Sequence, residues 1–145
     1  NKEVIAFIIG KEKNIEYYKT LAKELGIDSR VFFTGTRTDV EDFYSVSDIL
    51  LFPTHYEPFG NVILEAMNMK NVVFTTSQCG GSELLANEFI MQNPTDFLVI
   101  NKIDKLLRNT KQLKEIQEKN RIRSKQFSIE KNLELTLNII DEVIN

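Results

Sequence analysis

At 145 residues, with 42% hydrophobic and 27% charged side chains, the chain has the composition of one globular domain with apolar content enough for a core of its own. A net charge of −3 and a pI near 5.3 argue against nucleic acid as its main partner. The single cysteine, Cys79, excludes an internal disulfide framework and makes a reducing, cytoplasmic setting the default expectation, and no apolar stretch approaches the roughly 20 residues that span a bilayer.

Val4 to Ile9 has the pattern of a buried strand, and the helix after it carries Ile15, Tyr18, Leu21, Ala22 and Leu25 on one face before Gly26 stops it. Val31 to Thr34 is a second strand. Thr38-Asp39-Val40-Glu41 has capping-box spacing and opens a short helix with Val40, Phe43 and Tyr44 inward. Ile49 to Phe52 is a third strand, followed after Gly60 by a helix to about Met69. Val72 to Thr75 is a fourth strand, Ser82 to Ala86 a short helix after a glycine pair, and Phe89 to Met91 a fifth strand. Strands alternating with helices in this way predict an α/β fold with a doubly wound parallel sheet and right-handed crossovers. From Asp96 the composition shifts to Lys, Asn, Glu, Ile and Leu, with C-terminal helices expected over 102–108, 111–126 and 128–144. Ile129, Leu133, Leu137, Ile140 and Ile144 of the last helix form a stripe expected to pack on the sheet. The lysines between Lys111 and Lys125 are interleaved with Glu115 and Glu118, the pattern of a solvated helix face.

The run Glu57-Pro58-Phe59-Gly60-Asn61-Val62-Ile63-Leu64-Glu65 sets two carboxylates on either side of a helix start, with seven residues between them. A helix that opens just past the C-terminal end of a parallel strand points free N–H groups and its positive end into the crevice where α/β proteins bind ligands. Gly60 permits close approach of backbone to a ligand, and the N–H groups of Phe59, Gly60, Asn61 and Val62 are candidates to cradle a diphosphate. Carboxylates beside such an anion accept hydrogen bonds from neutral donors such as sugar hydroxyls, so the three parts together suit a nucleotide-sugar. A glutamate in the first turns of a helix is also favoured by the dipole alone, so spacing by itself does not establish a site.

The run resembles the signature of retaining nucleotide-sugar glycosyltransferases with the two-domain GT-B fold, family 4 in particular. The likeness to that fold's C-terminal, donor-binding domain continues through Phe7-Ile8-Ile9-Gly10, Leu25-Gly26-Ile27, Val31-Phe32-Phe33-Thr34-Gly35, Asp48 to Pro53, and Cys79-Gly80-Gly81-Ser82-Glu83-Leu84. Within the family it looks most like the lipopolysaccharide core glucosyltransferases, through Ile9-Gly10-Lys11, Gly35 to Val40 and Gln78-Cys79-Gly80. The resemblance implies a Rossmann-like half of a GT-B enzyme with C-terminal helices. It further implies that Glu57 meets hydroxyls of the donor sugar as the catalytic carboxylate and that Glu65 meets the ribose hydroxyls. Gly10 would lie near the nucleotide, the Thr36-Arg37 loop at the uracil, and Cys79, Gly80 and Gly81 along the donor sugar. Ser82-Glu83 stands where the family pattern continues with Pro-Glu, which bears on the choice of sugar. Lys11 could serve a phosphate or be a surface lysine, and His55, two residues before Glu57, could touch a ligand or shape the loop.

No His, Cys, Asp or Glu cluster has metal-ligand spacing, and the likeness implies neither a metal nor a cofactor, the nucleotide-diphosphate sugar being a substrate. The expected activity is transfer of a hexose from a UDP-linked donor to a glycan or glycolipid acceptor such as a lipopolysaccharide core. An epimerase of the same fold and a catalytically silent nucleotide-binding module are the alternatives. The start at Asn1-Lys2-Glu3 has no initiator Met and reads as a cut edge, so residues 1–145 are expected to be a donor domain incomplete at its N-terminus. The acceptor domain would then be missing, and with it any peripheral contact of the full enzyme with the inner face of a membrane; these residues alone are expected not to turn over.

Overall fold

The computed structural model describes residues 4–144. It divides into two compact units, Asn1–Phe43 and Tyr44–Asn145.

In the first unit, strand β1 (Ala6–Ile9) pairs in parallel with β2 (Val31–Gly35), and helix α1 (Ile15–Glu24) makes the crossover. Parallel pairing requires such a crossover because a tight turn cannot return the chain in the same direction. β1 is two residues shorter than expected. Its Phe7, Ile8 and Ile9 are exposed rather than buried, because β2 is its one pairing partner among the described residues. Phe7 instead packs edge-on against Phe43 at 5.3 Å between ring centroids. Of the face predicted for α1, Ala22 is buried and Ile15 and Leu21 are half-buried, whereas Tyr18 and Leu25 are exposed. Gly26 ends the helix as expected with φ of +63°, a left-handed turn that glycine adopts without strain.

Helix α2 (Val40–Val46) leads into the second unit. The anticipated exchange between Thr38 and Glu41 does not form among the described residues: Asp42 N–H bonds to the Asp39 carbonyl, and the Asp39 carboxylate is taken up by Arg37. The second unit holds a parallel three-stranded sheet in the order β3 (Ile49–Phe52), β4 (Val72–Thr76), β5 (Ile90–Met91). The β3–β4 register runs from Ile49 opposite Val72 to Phe52 opposite Thr75, with α3 (Asn61–Asn68) as the crossover. β4 is buried along its whole length, with an apolar Val72-Val73-Phe74 run followed by two buried threonines. Its alternation sends Val72 and Phe74 into a cluster with Met91, Val99, Leu106 and Leu113. Ile63, Ala66 and Met67 bury the inner stripe of α3 completely.

The predicted short helix after the glycine pair is a 3-10 segment that includes the pair, Gly80–Leu84, and β5 is a two-residue strand preceded by a 3-10 turn at Asn87–Phe89. Helices α4 (Leu98–Arg108) and α5 (Thr110–Ser124) close over the Phe74 side of the sheet through Val99, Leu106 and Leu113. The Asn109 side chain caps α5 by accepting from the Gln112 N–H at 3.1 Å. The rest of α5 is largely solvated, as its mixed charge predicts, with an ion pair between Glu118 and Lys70.

Helix α6 (Ile129–Ile144) forms where its periodicity places it, but it buries no residue. The expected packing on the sheet is therefore incorrect: Ile129, Leu133, Leu137, Ile140 and Ile144 are all exposed. The Phe74 face on which such a stripe would rest is already occupied by α4 and α5. No described helix is long and apolar enough to cross a membrane.

Candidate functional site

The chain leaves β3 through Pro53, and the loop 54–60 carries it to the start of α3. Two buried threonines of β4 hold the first part of this path. Thr75 donates its hydroxyl to the Phe52 carbonyl at 2.9 Å, and Thr76 donates to the Thr54 carbonyl at 2.7 Å. Each hydroxyl is thereby satisfied inside the core, and each fixes one point of the loop above the sheet.

The second part of the loop lies against the segment after β4. Glu57 pairs with Cys79 as an isolated parallel bridge, its N–H donating to the Gln78 carbonyl at 3.2 Å and its carbonyl accepting from Gly80 N–H at 3.0 Å. Gly81 N–H donates to the Phe59 carbonyl at 2.7 Å, and the buried Cys79 thiol donates to the same oxygen at 3.3 Å. The two backbones are in such close contact that a Cβ on Gly80 would stand 2.0 Å from the Pro58 carbonyl oxygen. One on Gly81 would stand 2.5 Å from that of Phe59. The need for glycine at both positions is thus set by the Glu-Pro-Phe-Gly loop itself, and the Cys79 side chain lies behind that loop.

Gly60 is the N-cap of α3, with φ of +80° and ψ of +75°. Its open Cα side is filled by Glu57 Cγ and Cys79 Sγ, each 3.1 Å from the position of a Cβ. The Glu57 side chain therefore folds back beside the helix start. No side chain caps α3, and the N–H groups of Phe59, Gly60, Asn61 and Val62 have no hydrogen-bond acceptor among the described residues. Uncapped donors at a positive helix end form a site for an anion.

Glu65 stands in the second turn of α3, exposed, and its Oε2 accepts from the Tyr44 hydroxyl at 3.4 Å. Burial, and then the neighbouring Glu65 charge, push the Tyr44 phenol up to about 12, so it keeps its proton and acts as a donor. Asn71, fully buried just before β4, donates its amide to the carbonyls of Tyr44 at 2.8 Å and Ser47 at 3.0 Å, and its own N–H to that of Ala66 at 2.8 Å. It ties the end of α2 to the end of α3. A half-buried Glu57, the free N–H groups and Glu65 are thus brought to one end of the second unit, at the carboxyl ends of β3 and β4. His55 is exposed on the same loop.

Gly10, Lys11, Thr36 and Arg37 belong to the first unit, where they follow the carboxyl ends of β1 and β2. Gly10 N–H donates to the Gly35 carbonyl at 2.9 Å, and φ of +131° at Gly10 requires its glycine. The Arg37 Nε donates to Asp39 at 2.7 Å, and its guanidinium lies 5.7 Å from the Phe43 ring centroid. The hydrogen bonds and charge of Asp39 raise the arginine further above its ordinary value, so its charge is matched locally. Lys11 is exposed. Among the described residues no group of three or more His, Cys, Asp or Glu could hold a metal ion. Sequence reasoning missed Tyr44 and Asn71 as parts of the site: an aromatic residue predicted to face inward carries no mark of its hydroxyl's partner 21 residues away.

The sequence profile of the glycosyl transferases group 1 matches residues 1–123. The chain belongs to that family. It is 35% identical over 83 residues to the lipopolysaccharide glucosyltransferase WaaG of Escherichia coli K12, an alignment covering 57% of this chain and 22% of that protein. An uncharacterized glycosyltransferase of Haemophilus influenzae is 30% identical over 132 residues, 88% of this chain and 37% of its own. Among solved structures, Anabaena Alr3699/HepE in complex with UDP-glucose superimposes with a TM-score of 0.79 at 25% identity, over 96% of this chain and 41% of that one. The fold is that of the C-terminal domain of GT-B glycosyltransferases, and the chain spans between about a fifth and two-fifths of the length of these relatives.

Proposed function

We propose that this group 1 domain binds the nucleotide-sugar donor of a retaining hexosyltransferase that builds a cell-surface glycan, with a UDP-linked hexose as donor. The observation that carries the reading is the set of four unpartnered N–H groups from Phe59 to Val62, flanked by Glu57 and Glu65. They offer a fixed, uncapped anion site for the diphosphate. Glu65 accepts from the ribose hydroxyls, and Glu57, folded back beside Gly60, accepts from hydroxyls of the sugar. The family relation to a lipopolysaccharide glucosyltransferase and the superposition on a protein crystallised with UDP-glucose support the donor and acceptor classes.

In this arrangement the sugar–phosphate bond breaks as negative charge grows on the diphosphate, and donors already aimed at that charge stabilise it without rearranging. The acceptor hydroxyl then attacks from the face the diphosphate leaves and passes its proton to the departing phosphate oxygen, which retains the anomeric configuration. Isothermal titration of the chain with UDP, GDP and ADP tests the reading, with saturable UDP binding below millimolar expected. Glu65→Ala should weaken UDP binding several-fold without unfolding the domain, since the exposed carboxylate contributes no core packing beyond its contact with the Tyr44 hydroxyl. An unchanged UDP affinity in that variant would show that Glu65 does not hold the ribose.

A further inference from the structure

Tyr44 combines two features that the core does not explain. The residue is 6% exposed and its ring fills space that phenylalanine would fill equally well, yet it carries a hydroxyl that must find a partner inside the fold. That partner is Glu65 Oε2 at 3.4 Å, and among the described residues Tyr44 is the one hydrogen-bond donor to this carboxylate. Among the described residues no cation pairs with Glu65. Its long side chain, otherwise exposed in the second turn of α3, would be free to sample many rotamers.

Resting on the ribose role given to Glu65 above, we propose that Tyr44 is the positioning residue for that carboxylate, holding Oε2 so that Oε1 faces the ribose hydroxyls of a nucleoside diphosphate. The phenol suits this task better than a cation. An arginine or lysine would neutralise the carboxylate and compete for its lone pairs, whereas one neutral O–H occupies a single acceptor site and leaves the charge in place for the ligand. The phenol's own position is fixed from behind. Asn71 grips the Tyr44 carbonyl at 2.8 Å, and its N–H holds the Ala66 carbonyl, one residue past Glu65. Asn120 of α5 in turn donates to the Asn71 carbonyl at 2.8 Å. Acceptor and donor are therefore carried by two helices that one buried amide ties together.

The test is the affinity ratio between UDP and 2′,3′-dideoxy-UDP, measured by titration calorimetry on the 145-residue chain and on its Tyr44→Phe variant, with thermal midpoints alongside. The wild-type chain is expected to prefer UDP by fivefold or more. Tyr44→Phe should bring the ratio below twofold by weakening UDP alone, with the 2′,3′-dideoxy-UDP affinity and the thermal midpoint unchanged. A variant that keeps the wild-type ratio overturns the role of Tyr44 and leaves that of Glu65 intact. Equal loss of both ligands, or a lowered midpoint, assigns Tyr44 to packing and also overturns it. A wild-type chain that does not distinguish the two ligands, or binds neither, overturns the ribose role of Glu65 and this proposal with it.

Discussion

Replacing Gly80 with alanine is expected to lower the thermal midpoint of the domain by on the order of 10 °C, through cost terms of a few kcal/mol in all. The added Cβ would stand 2.0 Å from the Pro58 carbonyl oxygen and 3.3 Å from Phe59 Cα, so a backbone must move, not the end of a flexible side chain. Moving either strand of the contact breaks the Gly80 N–H to Glu57 carbonyl bond at 3.0 Å and strains the 2.7 Å bond from Gly81 to Phe59. Overpacking of this kind costs about 1–3 kcal/mol, and each lost hydrogen bond adds about 1. Gln78→Ala is the matched control. Its exposed side chain makes no contact of this sort, while its carbonyl still accepts from Glu57, so its midpoint should not change. Scanning calorimetry of the two variants decides the matter, and an unchanged midpoint for Gly80→Ala would mean that the loop is not clamped by the segment after β4.

Most of the strands and helices were legible in the sequence because their signals are local. Ile49–Phe52 is bounded by Asp48 and Pro53, and the C-terminal helices follow their apolar periods closely. The carboxylate pair was legible for the same reason, since its helix start lies between them in the chain. What a period cannot say is which surface covers an apolar stripe. The exposed stripe of α6 has the same spacing as the buried one of α3, yet only α3 meets β4. The first strand shows the same limit, its apolar residues exposed and, among the described residues, paired with β2 alone. The glycine pair illustrates a different one. The expectation that Gly80 and Gly81 lie along the donor sugar comes from a resemblance and not from a local signal, whereas their contact with the Pro58–Phe59 backbone is visible only in the fold. Residues far apart in sequence, such as Tyr44 and Glu65 or Asn71 and Asn120, meet only once the sheet has brought their helices together.

Glu57→Gln, made in a full-length transferase that carries this domain, is expected to reduce turnover by roughly ten- to a hundredfold while shifting the UDP inhibition constant by less than about twofold. Glutamine keeps the shape of the side chain whose Cγ lies 3.1 Å from where a Cβ on Gly60 would stand, so the loop geometry should survive. It replaces one acceptor oxygen by an amide donor, so a pair of sugar hydroxyls that donated to both oxygens is left with one partner. Hydrogen bonds to a charged acceptor contribute about 1.5–3 kcal/mol, which sets the size of the expected loss. The loss should fall on kcat more than on nucleotide affinity, because the uridine and the diphosphate do not meet Glu57 in the proposed arrangement and the sugar is held most tightly as its bond to the diphosphate breaks. Steady-state rates with varied donor, together with UDP inhibition, separate the two effects. Kinetics in which only the UDP inhibition constant rises would assign Glu57 to the nucleotide and move the sugar elsewhere in the site.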